Sequence, residues 1–177
     1  PRDLYVILDE LIDHLHIVGM FQNEAEWGPR ALGNRSIIFD PRHRNAKSIM
    51  NTVEKRESYR PFACTVMLEH AEEYFDMLQL PESPWMSFAI QCKPKALKDI
   101  PTLVHADNTC RIQTVTEEQN PNYYNLIKGF YERTGVPIIF NTSFNLGGEP
   151  LVETLEDAVR TLIHSEIEYL YLPEYNK

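Results

Sequence analysis

The chain has 177 residues, is 43% hydrophobic and carries a net charge of -9. That length and apolar content suit one domain with a buried core and exclude a disordered or fibrous chain. No apolar run approaches the about 18 residues of a membrane span, and the acidic balance argues against general nucleic-acid binding.

Residues 4 to 15 place Leu4, Ile7, Leu8, Leu11, Ile12 and Leu15 at helical spacing, giving a helix with one buried stripe. Residues 17 to 21 then read as a strand and 36 to 40 as a second. Asn45 to Thr52 reads as a short helix, 62 to 68 as a buried strand, and Glu69 to Met77 as helical. Residues 85 to 92 and 110 to 115 are strand-like, joined by a polar connection from Lys93 to Pro101. Asn120-Pro121 is an N-cap and first-turn pair; Tyr124, Ile127 and Tyr131 supply the stripe, and Gly135 the C-terminal cap. Residues 136 to 140 form a short buried strand, Thr154 with Asp157 resembles a capping box opening a helix to about His164, and 167 to 172 closes as a strand. Strands interleaved with helices imply an α/β or α+β sheet domain.

Charge is unevenly placed. Between Arg30 and Arg60 stand eight Lys/Arg against three carboxylates, so a positive patch sits on a negative body. Such a patch focuses a small polyanion while the remainder repels an extended one; a solvated basic face is the other reading. Cys64, Cys92 and Cys110 lack metal-ligand spacing, which indicates reduced thiols in a cytoplasmic protein, and the histidines give no metal site. The chain starts at Pro1, as a piece of a longer polypeptide does.

Four stretches carry candidate chemistry. In GPRALGNRS, 28 to 36, Gly28 and Gly33 allow close backbone approach, and Arg30 and Arg35 offer forks matched to phosphate or carboxylate; the alternative is a turn whose arginines pair with Glu24 and Glu26. In KRESYRPFA, 55 to 63, Lys55, Arg56 and Arg60 precede an apolar run, either as anion ligands or as a salt-bridged helix end. In HADNTCRIQTV, 105 to 115, Asp107 and Asn108 are turn chemistry beside His105, whereas Arg111 inside a strand needs a partner, of which an anionic ligand is one. FNTSFNLGGEP, 140 to 150, reads as a polar loop beyond a strand's carboxyl end, offering Asn141, Thr142, Ser143 and Asn145. Ser143 lacks a His/Asp partner and reads as a hydrogen-bond donor.

At this order and spacing, these segments resemble the C-terminal domain of the O-carbamoyltransferases of nodulation and antibiotic tailoring, from about Ile17 to Leu172. The resemblance implies a single domain of the YrdC/Sua5 fold, a twisted open mixed sheet flanked by helices, behind an N-terminal Kae1-like domain. It implies carbamoyl-adenylate formation from carbamoyl phosphate and ATP, the latter with Mg²⁺, followed by carbamoyl transfer to an acceptor hydroxyl in the Kae1-like domain. Arg30 and Arg60 would hold phosphates, Arg111 the carbamoyl phosphate or carbamate, and Ser143 and Asn141 would donate hydrogen bonds to nucleotide phosphates. Lys55 would act beside Arg60 and Arg111; Arg35, Arg56, His105, Asp107, Thr142 and Asn145 would complete the binding site. The family usually has lysine where this chain has Glu54, with Lys55 one place later, and commonly has glycine at Asn23 and Asn108.

Overall fold

The computed structural model describes residues 2–53 and 60–175. The strands are β1 (Val18–Phe21), β2 (Arg35–Phe39), β3 (Ala63–Met67), β4 (Ala89–Gln91), β5 (Thr109–Val115), β6 (Ile138–Ser143) and β7 (Tyr169–Tyr171). The helices are α1 (Arg2–Ile12), α2 (Ala46–Val53), α3 (Ala71–Tyr74), α4 (Pro94–Asp99), α5 (Pro121–Thr134) and α6 (Leu155–Ile163). All seven strands form one sheet in the order β4-β5-β3-β6-β2-β1-β7. The β3/β5 and β1/β7 pairs are parallel and the other ladders antiparallel, so the expected open mixed sheet flanked by helices is the fold observed.

Local chemistry accounts for the helix ends. Asn120 accepts from the Tyr123 amide (3.2 Å), Pro121 opens α5 where its missing N–H costs nothing, and Gly135 closes it at φ 75°. Thr154 and Asp157 exchange both capping-box bonds at the start of α6. Several elements depart from expectation: α1 ends at Ile12, and Leu15, expected in its buried stripe, turns at φ 57° and is exposed. Lys93 to Pro101 is not a plain connection, because Pro94 starts α4, which buries Ala96 ahead of Ile100. The strand expected over 85 to 92 shrinks to β4, since Met86 turns at φ 52° and leaves Trp85 exposed. Left-handed backbone also falls at Asn23 (φ 48°) and Asn108 (φ 60°), the two positions where the resembled family has glycine; asparagine tolerates that conformation better than other side chains.

The core covers both faces of the sheet: Phe39, Phe140 and Ile112 share one face, Ile139 points to the other, and Leu8 and Leu11 of α1 and Phe130 of α5 belong to the same buried cluster. All three cysteines are buried and free. Burial, with smaller contributions from Cys110 and Asp107, pushes the Cys92 thiol up to about 12. The Cys110 thiol is raised by its hydrogen bond to Cys64 and by burial. A raised thiol pKa favours the protonated fold: stability is full below the unfolded thiol's value of about 8.5 and falls as pH rises above it. At pH 8, iodoacetamide should therefore label Cys92 and Cys110 only after denaturation, as mass spectrometry would show. Rapid labelling of the native chain would contradict this burial.

Candidate functional site

One cross-strand row organises the site. Ala89 of β4 pairs with Arg111 of β5, Arg111 with Ala63 of β3, and Ala63 with Asn141 of β6. Directly paired residues point to the same face, and neighbouring strands lie about 4.8 Å apart. Arg111 is thus flanked by two alanines, and the small Ala63 leaves space between the guanidinium-bearing strand and Asn141. A hollow of about 80 Å³ opens there, lined by Arg30, Arg111, Asn141, Thr142 and Ser143 together with Pro29, Ala31, Pro61, Phe62, Ala63 and Met86.

Asn141 to Ser143 are not the loop expected. They are the second half of β6, whose ladder continues through polar residues that line the hollow, with Asn141 and Ser143 on one face of the strand and Thr142 on the other. Asn141 is 1% exposed, and its amide nitrogen donates to the Thr65 hydroxyl (2.9 Å), the Ala31 carbonyl (3.2 Å) and Gln113 Oε1 (3.2 Å). Thr65 donates to Gln113 Oε1 (2.7 Å) and accepts from the Tyr123 hydroxyl (3.0 Å), which locks the amide's orientation. The Asn141 donor expected to meet a phosphate is therefore occupied. Its Oδ1 remains, buried and without a hydrogen-bond partner. Such an acceptor carries a desolvation cost of about 1–3 kcal/mol until a donor reaches it.

Arg30 reaches the hollow because the loop before it is fixed from below. Glu26 Oε1 accepts from the amides of Leu32 (2.7 Å), Asn34 (2.7 Å) and Arg35 (3.2 Å), and the Gly33 amide donates to Ser36 Oγ (3.0 Å). Gly33 has φ 109°, and a Cβ there would stand 2.2 Å from Cδ1 of the buried Tyr123 ring. Gly33→Ala should lower stability by about 3 kcal/mol, combining overpacking with left-handed strain, measured as a shifted urea midpoint. A wild-type midpoint would contradict the close approach.

Other expected ligands lie elsewhere. Arg35 is one residue out of phase with Ser36, which pairs with Ser143, so it projects from the opposite face of the sheet. It is 3% exposed and its guanidinium lies 3.6 Å from the centre of the Phe21 ring. It donates to the carbonyls of Gln22 (2.6 Å), Asn23 (3.0 Å), Asn34 (3.1 Å) and Glu153 (3.2 Å), which makes it a strut and not a ligand. Burial lowers its pKa, opposed by Glu26 and Glu174, yet a guanidinium starts high enough to stay charged. His105 is a positioning residue: Nε2 meets the carbonyl of Phe62 (3.1 Å), a wall of the hollow, and Nδ1 meets the Thr109 hydroxyl (3.2 Å). Asp107 is exposed and accepts from the Thr109 hydroxyl (2.7 Å) and amide (3.0 Å), which holds its carboxyl below the usual range. Asn145 donates to the Leu146 carbonyl (2.8 Å) outside the hollow. Arg60 is exposed immediately before the lining residue Pro61. Glu54, Lys55 and Arg56 lie outside the described residues.

Sequence reasoning missed Gln113 and Thr65, which orient Asn141, because their roles depend on strand register. It also missed an adjoining pocket of about 390 Å³ beyond Ala31 and Met86, flanked by Trp27 and Trp85. Trp27 is fully exposed there, an unusual position for so large an apolar ring. A wider groove, of about 990 Å³, lies elsewhere, between Arg42 to Lys47 and α4. The smaller hollow is the better candidate site, because two guanidinium-bearing residues and an unsatisfied buried acceptor converge on it. Among the described residues, no cluster of three or more His, Cys, Asp or Glu is placed to hold a metal ion, and no helix is long and apolar enough to cross a membrane.

The model of the carbamoyltransferase C-terminus family matches residues 9–176. Nodulation protein NolNO of Sinorhizobium fredii is 42% identical over 90% of this chain and 24% of its own length. The 3'-hydroxymethylcephem-O-carbamoyltransferase of Streptomyces clavuligerus is 32% identical over 86% of the chain and 28% of its own. In fold, the chain is similar to a crystal structure of full-length HypF in its phosphate- and nucleotide-bound form, with TM-score 0.60 and 19% identity over 92% of this chain and 20% of that one. The chain thus spans less than a third of the length of these relatives.

Proposed function

Because the chain belongs to the carbamoyltransferase C-terminus family, we propose that its hollow binds carbamoyl phosphate and that the domain joins the carbamoyl group to the α-phosphate of ATP, releasing pyrophosphate. The orphaned Oδ1 of Asn141 carries this reading. Carbamoyl phosphate has an NH₂ at one end, a donor matched to that acceptor, and a dianionic phosphate at the other, matched to Arg111 and Arg30. Free phosphate would satisfy the cations and leave Oδ1 unpartnered.

In the proposed reaction, water takes the phosphate from carbamoyl phosphate, leaving carbamate. A carbamate oxygen attacks the α-phosphorus of ATP, the bond to the bridging oxygen breaks, and pyrophosphate leaves with that electron pair. Charge builds on phosphoryl oxygens, and fixed guanidinium groups stabilise it without reorganising. Ser143, at the end of β6, donates from the rim. ATP enters as its magnesium complex, bound mainly through substrate oxygens and water. A hollow of about 80 Å³ holds the small metabolite and not the nucleotide, whose base and ribose fit the neighbouring pocket against Trp27 and Trp85. The remaining length of the relatives supports a second, Kae1-like domain that passes the carbamoyl group to an acceptor hydroxyl.

Exchange of labelled pyrophosphate into ATP tests the proposal, with exchange expected only when carbamoyl phosphate is present. ATP binding without carbamoyl-phosphate-dependent exchange would instead identify a nucleotide-binding module without turnover.

A further inference from the structure

The stretch from Arg30 to Lys47 holds more cations than the hollow uses, and three of them line the groove of about 990 Å³. Arg42, Arg44 and Lys47 form one wall of that groove and Lys98 of α4 stands on the other, over an apolar floor that includes Val104 and Val136. Its one acid, Asp99, accepts from the Tyr74 hydroxyl (3.2 Å). Arg42 is held in place by the buried Asp40, its Nε 3.0 Å and Nη2 2.6 Å from the carboxylate oxygens. Arg44, Lys47 and Lys98 meet no carboxylate within ion-pair distance among the described residues.

That arrangement is unfavourable as a bare surface. Lys47 sits in the first turn of α2, a turn without an acidic residue, where the helix dipole already presents positive charge. On a chain of net charge -9, carboxylates are plentiful, yet the groove's lining sets four cations against one acid, Asp99, and among the described residues Arg44, Lys47 and Lys98 form no ion pair. Local electrostatic conflict without compensation inside the fold marks a place where an external group supplies it. The groove is also separate from the hollow. The two share no lining residue: Val136, just before β6, lines the groove, whereas Asn141 to Ser143 at the other end of that strand line the hollow.

We infer that this groove is a second anion site, taking a small organic molecule with two or more phosphate groups and an apolar body laid on the floor. The volume of about 990 Å³ admits a ligand of nucleotide size.

Inorganic tripolyphosphate is the probe, titrated by calorimetry at low salt. The wild-type protein should show two classes of site. Arg44 and Lys98 are exposed, so the double variant Arg44→Ala/Lys98→Ala should keep the wild-type circular dichroism and lose one class by about a hundredfold, at about tenfold per cation. Arg44→Lys/Lys98→Arg should retain it. Arg111→Ala should weaken only the other class, so that failure at the hollow is read apart from failure at the groove. An unchanged isotherm for the folded double variant would overturn the inference. So would a groove that ignores tripolyphosphate but binds a single-stranded RNA, since that assigns the face to nucleic acid.

Discussion

Arg35→Ala should cost about 3–5 kcal/mol of stability, one of the largest effects of any single substitution in this chain. The guanidinium satisfies carbonyls from Gln22, Asn23, Asn34 and Glu153, which belong to segments far apart in sequence. Truncation leaves the buried Gln22 carbonyl dry, at about 1–3 kcal/mol, opens a gap that unties the part-buried carbonyls of Asn23, Asn34 and Glu153, and removes the stacking on Phe21. Lysine cannot replace it, because one ammonium lacks the planar fork that reaches several carbonyls. Urea unfolding measures the loss. The molecules that remain folded should bind carbamoyl phosphate as the wild type does, because Arg35 lies on the face away from the hollow. Wild-type stability with lost binding would make Arg35 a ligand and contradict the strut.

Arg111→Ala should do the reverse. Its cross-strand neighbours in the row are Ala63 and Ala89, small side chains that leave little to collapse when the guanidinium is removed, so the fold should persist. A charge-assisted hydrogen bond to a phosphate is worth about 1.5–3 kcal/mol, so affinity for carbamoyl phosphate should fall about ten- to a hundredfold. Carbamoyl-phosphate-dependent exchange should fall at least as far, since the guanidinium also meets charge that develops during transfer. Asn141→Ala is the companion test: it removes the acceptor assigned to the carbamoyl NH₂, so affinity for carbamoyl phosphate should fall while affinity for inorganic phosphate, held by the guanidinium groups, changes little. Calorimetry with a folded variant decides both.

The division of labour among the arginines explains what sequence could and could not show. The clustering of guanidinium groups at residues 28 to 60 is visible in composition, because they stand together on an acidic chain. Its partition was not visible. Arg30 lines the hollow, Arg35 braces the sheet, and Arg42 and Arg44 line a separate groove. One residue of strand phase separates Arg35 from the site, and phase follows from where β2 begins. Helices α5 and α6 were legible to within a residue or two, because their caps are local chemistry. The polar end of β6 read as a loop, because a strand that faces a ligand site lacks the apolar pattern that marks one. The row Ala89-Arg111-Ala63-Asn141 joins four strands, and only register brings it together.

A crystal soaked with carbamoyl phosphate gives the most direct measurement of where the metabolite sits. The expected result is density in the hollow, phosphate against Arg111 and Arg30 and the NH₂ within hydrogen-bonding distance of Asn141 Oδ1. Density only in the groove of Arg42 and Arg44, with the hollow holding water alone, would contradict the assignment.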